Sequence, residues 1–215
     1  MERYFDYSPY IMSEITFRPM RRHKQQLEPE ECLELLSTAP RGVLAVIGDG
    51  GYPYAIPLDF VYDEGTIYFH SAKEGHKIDA IRACDKATFC VMSQGEKEAG
   101  SWWYHFKSVV CFGRIHEVED AALADAKLRL LGKKYFPEGY DLEGDMKNNA
   151  PNALVLAMKI EHVSGKRVKE KKRHIYPIQQ KTTTLDEKNS IHSVYRKLAD
   201  VWLQTRAKVI QHPHH

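Results

Sequence analysis

The sequence predicts a mainly β fold with peripheral helices: a six-stranded antiparallel barrel, closed or split, followed by a separate C-terminal helix. Three observations carry this. Short runs rich in Val, Ile, Tyr and Phe are separated by hairpin-length turns such as GDGG and DEG, which favours antiparallel pairing over βαβ winding. The elements run helix, three strands, short helix, two strands, helix, strand, an order that suits a sheet curled on itself. A chain of 215 residues fits one domain with appendages and is long enough to bury a real core. The boundaries read as an N-terminal arm at 1–20, a barrel domain at 21–165, a basic linker at 166–184, and a C-terminal helix and tail at 185–215.

The first helix is predicted over Pro29–Thr38. Pro29 suits a first turn, Glu30 and Glu31 complement the dipole, Leu35 and Leu36 supply an apolar side, and Pro40 ends it. GVLAVI (42–47) is a continuous apolar run, as expected of a strand buried on both faces. After the GDGG turn, YPYAIPLDFVY (52–62) places Ile56, Leu58, Phe60 and Tyr62 on one side of a single strand. Its prolines, Pro53 and Pro57, require an edge, a bulge or an unpaired N–H. DEG leads into TIYFHSA (66–72), and a short helix from His76 to about Ala83 turns Ile78 and Ile81 inward. KATFCVMS (86–93) is the next strand, and WWYHFKSVVCFGRIHEVE (102–119) is one long strand kinked near Gly113.

A second strong helix is predicted over about Ala121–Tyr135. Asp120 is its N-cap, Leu123, Ala126, Leu130 and Leu131 form its apolar side, and Lys133 and Lys134 suit its C-terminal end. FPEGYDLEGDMKNNAPN (136–152) reads as a loop and ALVLAMKIEHVSGKRV (153–168) as the final strand. KRVKEKKRH (166–174) is basic, and IYPIQQKTTT is linker-like. Over Leu185–Ile210, Ile191, Val194, Tyr195, Leu198, Trp202, Thr205 and Val209 fall on one helical stripe, which must bury against the barrel or a partner chain.

The bulk numbers exclude several classes. A formal charge of +2 gives no whole-protein field for nucleic acid. Cys32, Cys84, Cys90 and Cys111 form no CxxC pair, so neither a disulfide scaffold nor a zinc site is indicated. QHPHH at the end is too short to define a metal site, and no metal is expected. MERYFDYSPY lacks the apolar core of a signal peptide, and no run approaches membrane length, so a soluble, cytoplasmic protein is expected. No GxGxxG, P-loop or catalytic triad is visible. His105, His116 and His162 fall at wide spacing and read as structural or surface residues.

One stretch stands out chemically. IYFHSAKEGHKIDAI (67–81) places His70, Ser71, Lys73, His76 and Lys77 between the end of a strand and the mouth of a helix. Two readings fit: a solvated strand–helix loop, or an anion site. The second gains from the helix N-terminus, whose free N–H groups and positive dipole end attract negative charge.

The block RGVLAVIGDGGYPYAIPLDFVYDEGTIYFHSAKEGHKIDAI resembles the FMN-binding split-barrel superfamily. Within it, the chain looks most like the nitroimidazole-resistance (Nim) branch of the pyridoxamine 5′-phosphate oxidase-like proteins. MRRHKQQLEPEECLELL before the block is similar to that branch's entry segment, and KATFCVMS and SVVCFGRIHEVED continue the likeness, over roughly residues 18–163. The resemblance implies a homodimer of six-stranded barrels with two FMN molecules in grooves at the dimer interface. The oxidase proper binds phosphate with an Arg/Lys-rich strand. YAIPLDFVY, the corresponding strand, has no Arg or Lys, which argues against pyridoxamine phosphate oxidation.

Under that resemblance Ser71, His76 and Lys77 cradle the FMN phosphate, with His70 beside them. His70 could instead face the flavin and contact a substrate, which makes it the candidate catalytic residue. Backbone groups around Pro57, Leu58, Asp59 and Phe60 serve the ring edge, freed by prolines that interrupt pairing; the bland alternative is an ordinary edge strand. Trp102, Trp103 and Tyr104 either wall the ring from a dimer interface or simply pack. Lys107 could reach the phosphate from the partner chain. The implied activity is an FMN-dependent oxidoreductase that passes electrons from a reductant, NAD(P)H for example, to a small acceptor such as a nitroaromatic or quinone. Two alternatives stay open: a non-catalytic flavin-binding or sensor protein, and a haem-binding split barrel.

Overall fold

Two strands that follow each other directly in the chain stand at opposite edges of one sheet, and this dictates the shape of the fold. The structure, a computed structural model, describes residues 16–97, 99 and 104–168. Residues 1–15, Trp102, Trp103, the linker beyond Val168 and the expected C-terminal helix lie outside the described residues.

The strands are β1 (Gly42–Ile47), β2 (Pro53–Leu58), β3 (Val61–Asp63), β4 (Thr66–Ser71), β5 (Lys86–Met92), β6 (Glu96–Lys97), β7 (Tyr104–Glu117) and β8 (Leu154–Val168). The helices are α1 (Pro29–Thr38), α2 (His76–Ala83), α3 (Ala121–Tyr135) and α4 (Leu142–Asn149). The sheet is antiparallel in the order β2-β1-β5-β7-β8-β4-β3, with the short β6 paired to the start of β7. Only Asp59 and Phe60 join β2 to β3. In a flat sheet of seven strands those edges would lie about 29 Å apart. The link reaches no more than roughly 10 Å. The sheet must therefore curl until its edges meet. No ladder joins β2 to β3, so the barrel is closed by the chain and left split by hydrogen bonding.

The interior is filled by alternate residues of each strand. Phe89 packs edge-on against Phe60 and Phe69, with ring centroids 4.7 and 5.1 Å away, and Leu44, Ile67, Val109, Cys111, Leu156 and Met158 surround them. Such side chains contribute about 1.5–3 kcal/mol each on full burial. Cys32, Leu35 and Leu36 of α1 and Ile78 and Ile81 of α2 join this core. β7 bends at a register shift between Phe112 and Gly113, near the expected kink. A Cβ on Gly113 would lie 2.1 Å from the Lys159 carbonyl oxygen, so only glycine lets β8 pass there.

Five expectations need correction. The single strand over 52–62 is two strands at opposite edges, which raises the strand count above six. The prolines do not interrupt pairing: β2 pairs with β1 along its whole length, Pro53 to Leu58. Pro53 and Pro57 cannot donate to that ladder, so it rests on Tyr54, Ile56 and Leu58, and the prolines blunt the free edge. β1 is buried on one face only, since Val43 and Ile47 are 40% and 46% exposed. The apolar stripe of α3 keeps the expected Leu130 and Leu131 and adds Ala124, Leu128 and Tyr135 against Val61, Tyr68, Val155 and Ala157, while Ala126 is exposed. Leu123 lies off that stripe, exposed. The expected loop at 136–152 contains α4, started by Asp141, whose carboxylate accepts from the Gly144 N–H at 2.9 Å.

α3 covers the outside of β3, β4 and β8. No described helix covers the outside of β1, β2 and β5, where Val43, Ile47 and Met92 are exposed. On neighbouring β7 and β8, Phe17 of the N-terminal arm stacks on His162 at 4.6 Å and lies 5.4 Å from Phe112. No described helix is long and apolar enough to cross a membrane.

Candidate functional site

The split in the barrel creates a cleft of about 330 Å³ lined by Arg41, Pro57, Leu58, Asp59 and His70. Its walls follow from the strand register. β3 pairs with β4 only as far as Val61–Tyr68, because the chain then crosses to the other edge of the sheet. His70 is the second residue beyond that point, and strand alternation turns it outward while Phe69 and Ser71 turn in. It therefore faces the open seam opposite the end of β2. Arg41, just before β1, donates from Nε to Asp59 Oδ1 at 2.6 Å across the cleft mouth. That bond to Asp59 holds the Arg41 guanidinium above its ordinary range.

Four sequence-identified residues thus meet: Pro57, Leu58, Asp59 and His70. Arg41 was not foreseen. Phe60 does not line the cleft, because its ring is in the core and its N–H donates to the Tyr135 hydroxyl at 2.9 Å. Trp103 lies outside the described residues. Lys107 lines a different concavity of about 830 Å³ between α1 and the ends of β7 and β8. There its Nζ is 3.0 Å from Glu31 Oε1, and Arg167 engages the same carboxylate. The Lys107 hydrogen bond leads the causes that hold the Glu31 carboxyl below its usual range. In the larger cavity Lys107 and Arg167 are both engaged by Glu31, whereas the seam gathers the residues that carry the sequence signal.

The second half of the site is the mouth of α2. Gly75 is its N-cap at φ 113°, a left-handed value open to glycine, and no side chain caps the helix. The N–H groups of Ile78 and Asp79 bond back to the Gly75 carbonyl at 2.8 and 3.1 Å, which leaves those of His76 and Lys77 directed outward. The His76 ring stacks on Tyr54 of β2 at 4.2 Å and 15°, with Nε2 3.6 Å from Asp49 Oδ2. Lys77 is half-buried and has no carboxylate partner among the described residues; burial pushes its ammonium below the ordinary 10.5. Ser71 is buried on the inner face of β4. Lys73 turns elsewhere, donating to the Pro151 carbonyl at 2.6 Å. A half-buried cation beside an uncapped helix N-terminus is an electrostatic setting that favours negative charge.

His70 and Ser71 occupy opposite faces of β4, so they serve different parts of the site. His70 belongs to the seam with the end of β2. His76 and Lys77 belong to the helix mouth with Tyr54, which sequence reading did not identify. A Tyr at 54 has no local signal, because its contact with His76 arises only when α2 folds back beside the β2 edge.

The model of the family described as pyridoxamine 5′-phosphate oxidase matches residues 28–167. Among solved structures, a candidate 5-nitroimidazole antibiotic resistance protein from Bacteroides thetaiotaomicron is 19% identical, with TM-score 0.58, covering 66% of this chain and 86% of that one. A FAD-binding protein from Mesorhizobium loti is 25% identical, with TM-score 0.52, covering 67% and 98%. The FAD and heme binding protein from Mycobacterium smegmatis is 20% identical, with TM-score 0.55, covering 68% and 74%. No curated protein matches the chain.

Proposed function

Because the chain belongs to the pyridoxamine 5′-phosphate oxidase family, we propose that it binds FMN and works as an FMN-dependent oxidoreductase. The observation that carries the reading is the half-buried Lys77, without a carboxylate partner among the described residues, at the uncapped mouth of α2. A phosphate dianion supplies the charge this place lacks, and the outward N–H groups of His76 and Lys77 supply donors. The residues present fit the cofactor: a phosphate site at α2 stands beside the β2 edge, and the seam lined by Pro57, Leu58, Asp59 and His70 offers an apolar wall with a few polar groups for a flat ring. The FAD-binding protein of known structure supports a flavin here.

Bound flavin supplies the electron transfer; the chain supplies binding, orientation and exclusion of water. His70 faces the seam and is placed to hold or donate a proton to an acceptor seated there. Arg41, fixed by Asp59, presents the remaining guanidinium donors at the mouth. The absence of Arg or Lys from β2 argues against pyridoxamine phosphate as substrate. We assign instead a small acceptor, a nitroaromatic or quinone, reduced at the expense of NAD(P)H.

We also propose a homodimer. The exposed apolar residues Val43, Ile47 and Met92 lie on a sheet face that no described helix covers, and a second copy would bury them and wall the flavin groove. Steady-state oxidation of NAD(P)H by the flavin-loaded protein with a nitroaromatic acceptor tests the activity. Acceptor-dependent turnover supports the oxidoreductase. Stable flavin binding without turnover for any donor or acceptor favours the sensor reading.

A further inference from the structure

The crossover between β2 and β3 has no strand neighbour of its own, yet it carries one wall of the seam cleft. It is held from outside, by the last two residues of α3. The Tyr135 hydroxyl accepts from the Phe60 N–H at 2.9 Å and lies 2.7 and 2.8 Å from the carbonyl oxygens of Pro40 and Phe60, to one of which it donates. Lys134 Nζ donates to the carbonyls of Ala39 and Phe60 at 2.9 and 3.0 Å and sits 4.1 Å above the Phe60 ring. These groups tie together two segments. One, at Ala39–Pro40, leads into Arg41 and β1; the other, at Phe60, follows Asp59. The cleft residues Arg41 and Asp59 are therefore the immediate neighbours of the two tied points, and they pair at 2.6 Å. Neither Lys134 nor Tyr135 lines the cleft.

We propose that Lys134 and Tyr135 are positioning residues for the seam site: by stapling Phe60 to Ala39–Pro40 they set how Arg41, Asp59 and the end of β2 face His70. This rests on the reading of the seam as the flavin-facing site. The pair sits at the end of α3, where basic residues ordinarily need no partner beyond the helix dipole. Here the ammonium is instead committed to carbonyls 74 and 95 positions away. The half-buried ammonium is held below its usual range by burial, which is consistent with carbonyl and ring partners in place of a carboxylate.

The test uses the full chain carrying Tyr135→Phe or Lys134→Met, with Asp120→Ala as control. Asp120 caps the opposite end of α3, so its loss weakens the helix and leaves the staple in place. Amide hydrogen exchange is followed on flavin-free protein for residues 58–61, and FMN affinity is measured by fluorescence titration. Tyr135→Phe should speed exchange at Phe60 and weaken FMN by at least about tenfold each. Asp120→Ala should lower the melting temperature without either change. Unaltered exchange at Phe60 overturns the staple. Faster exchange with FMN affinity within about twofold of wild type, or an equal effect of Asp120→Ala, reduces the pair to ordinary structural contacts and overturns the positioning role. If the wild-type protein binds no FMN, the flavin reading of the seam and the positioning role fall together. The exchange arm still decides separately whether the staple exists.

Discussion

Replacing Lys77 by Met should move three quantities in different directions. Met keeps most of the stem volume and removes the charge. In the flavin-free protein Lys77 is a half-buried cation with no carboxylate partner among the described residues, so its loss removes a desolvated charge. The folded protein holds this ammonium below its ordinary 10.5 because burial disfavours the charged form. The folded state thus binds fewer protons than the unfolded chain between the lowered value and 10.5. The destabilisation is fully present below that window and disappears as pH rises through it. Lys77→Met should therefore be at least as stable as wild type at neutral pH, and wild type should recover relative to the variant as pH approaches 10.5. FMN reverses the ranking. A charge-assisted bond to the phosphate contributes about 1.5–3 kcal/mol, so the variant should bind FMN about tenfold to 150-fold more weakly. Riboflavin has no phosphate and should bind both proteins alike. The assay is a flavin-fluorescence titration with both ligands at one ionic strength, paired with thermal melts of the free proteins. Equal weakening for FMN and riboflavin would refute the assignment of Lys77 to the phosphate, and so would unchanged affinity for both.

Three further outcomes are expected. Val43→Asp places a charge on the uncovered face of β1 and should convert the proposed dimer to monomer and lower flavin affinity; light scattering at micromolar concentration reads the mass, and a wild-type monomer that holds FMN removes the dimer from the account. Gly113→Ala drives a Cβ to 2.1 Å from the Lys159 carbonyl and should destabilise by about 1–3 kcal/mol in chemical denaturation, with a neutral result contradicting the bulge geometry. His70→Ala should reduce kcat/KM for the acceptor by about tenfold or more while FMN affinity stays near wild type; loss of FMN binding instead would make His70 part of the cofactor pocket.

Much of the fold is legible in local chemistry. Pro29 marks the first residue of α1, Asp120 caps α3 through the N–H groups of Ala122 and Leu123, and Gly113 marks the bend in β7. The break between β2 and β3 is not legible, because the alternation Ile56, Leu58, Phe60, Tyr62 runs straight through it. A period of two says which face a side chain takes and nothing about which edge of the sheet the backbone joins. α4 escapes for the opposite reason: LEGDMKNN buries only Met146, so it has no apolar stripe to detect. In the site, Pro57, Leu58, Asp59 and His70 are legible because each falls in a stretch with its own chemical mark, the proline-bearing strand at 52–62 or the basic cluster that begins at His70. Arg41 and Tyr54 enter only through the curl of the sheet. Tyr135 reaches its backbone partners from 75 and 95 positions away, a distance across which no spacing rule operates.

The central claim is that this barrel holds a flavin by its phosphate. The most direct measurement is the visible absorbance spectrum of the purified protein after loading with FMN and removal of excess ligand, followed by release and identification of the chromophore. The account predicts a flavin spectrum, stoichiometric release of FMN, and no comparable retention of riboflavin. A haem Soret band, or a colourless protein that retains neither flavin, would contradict it.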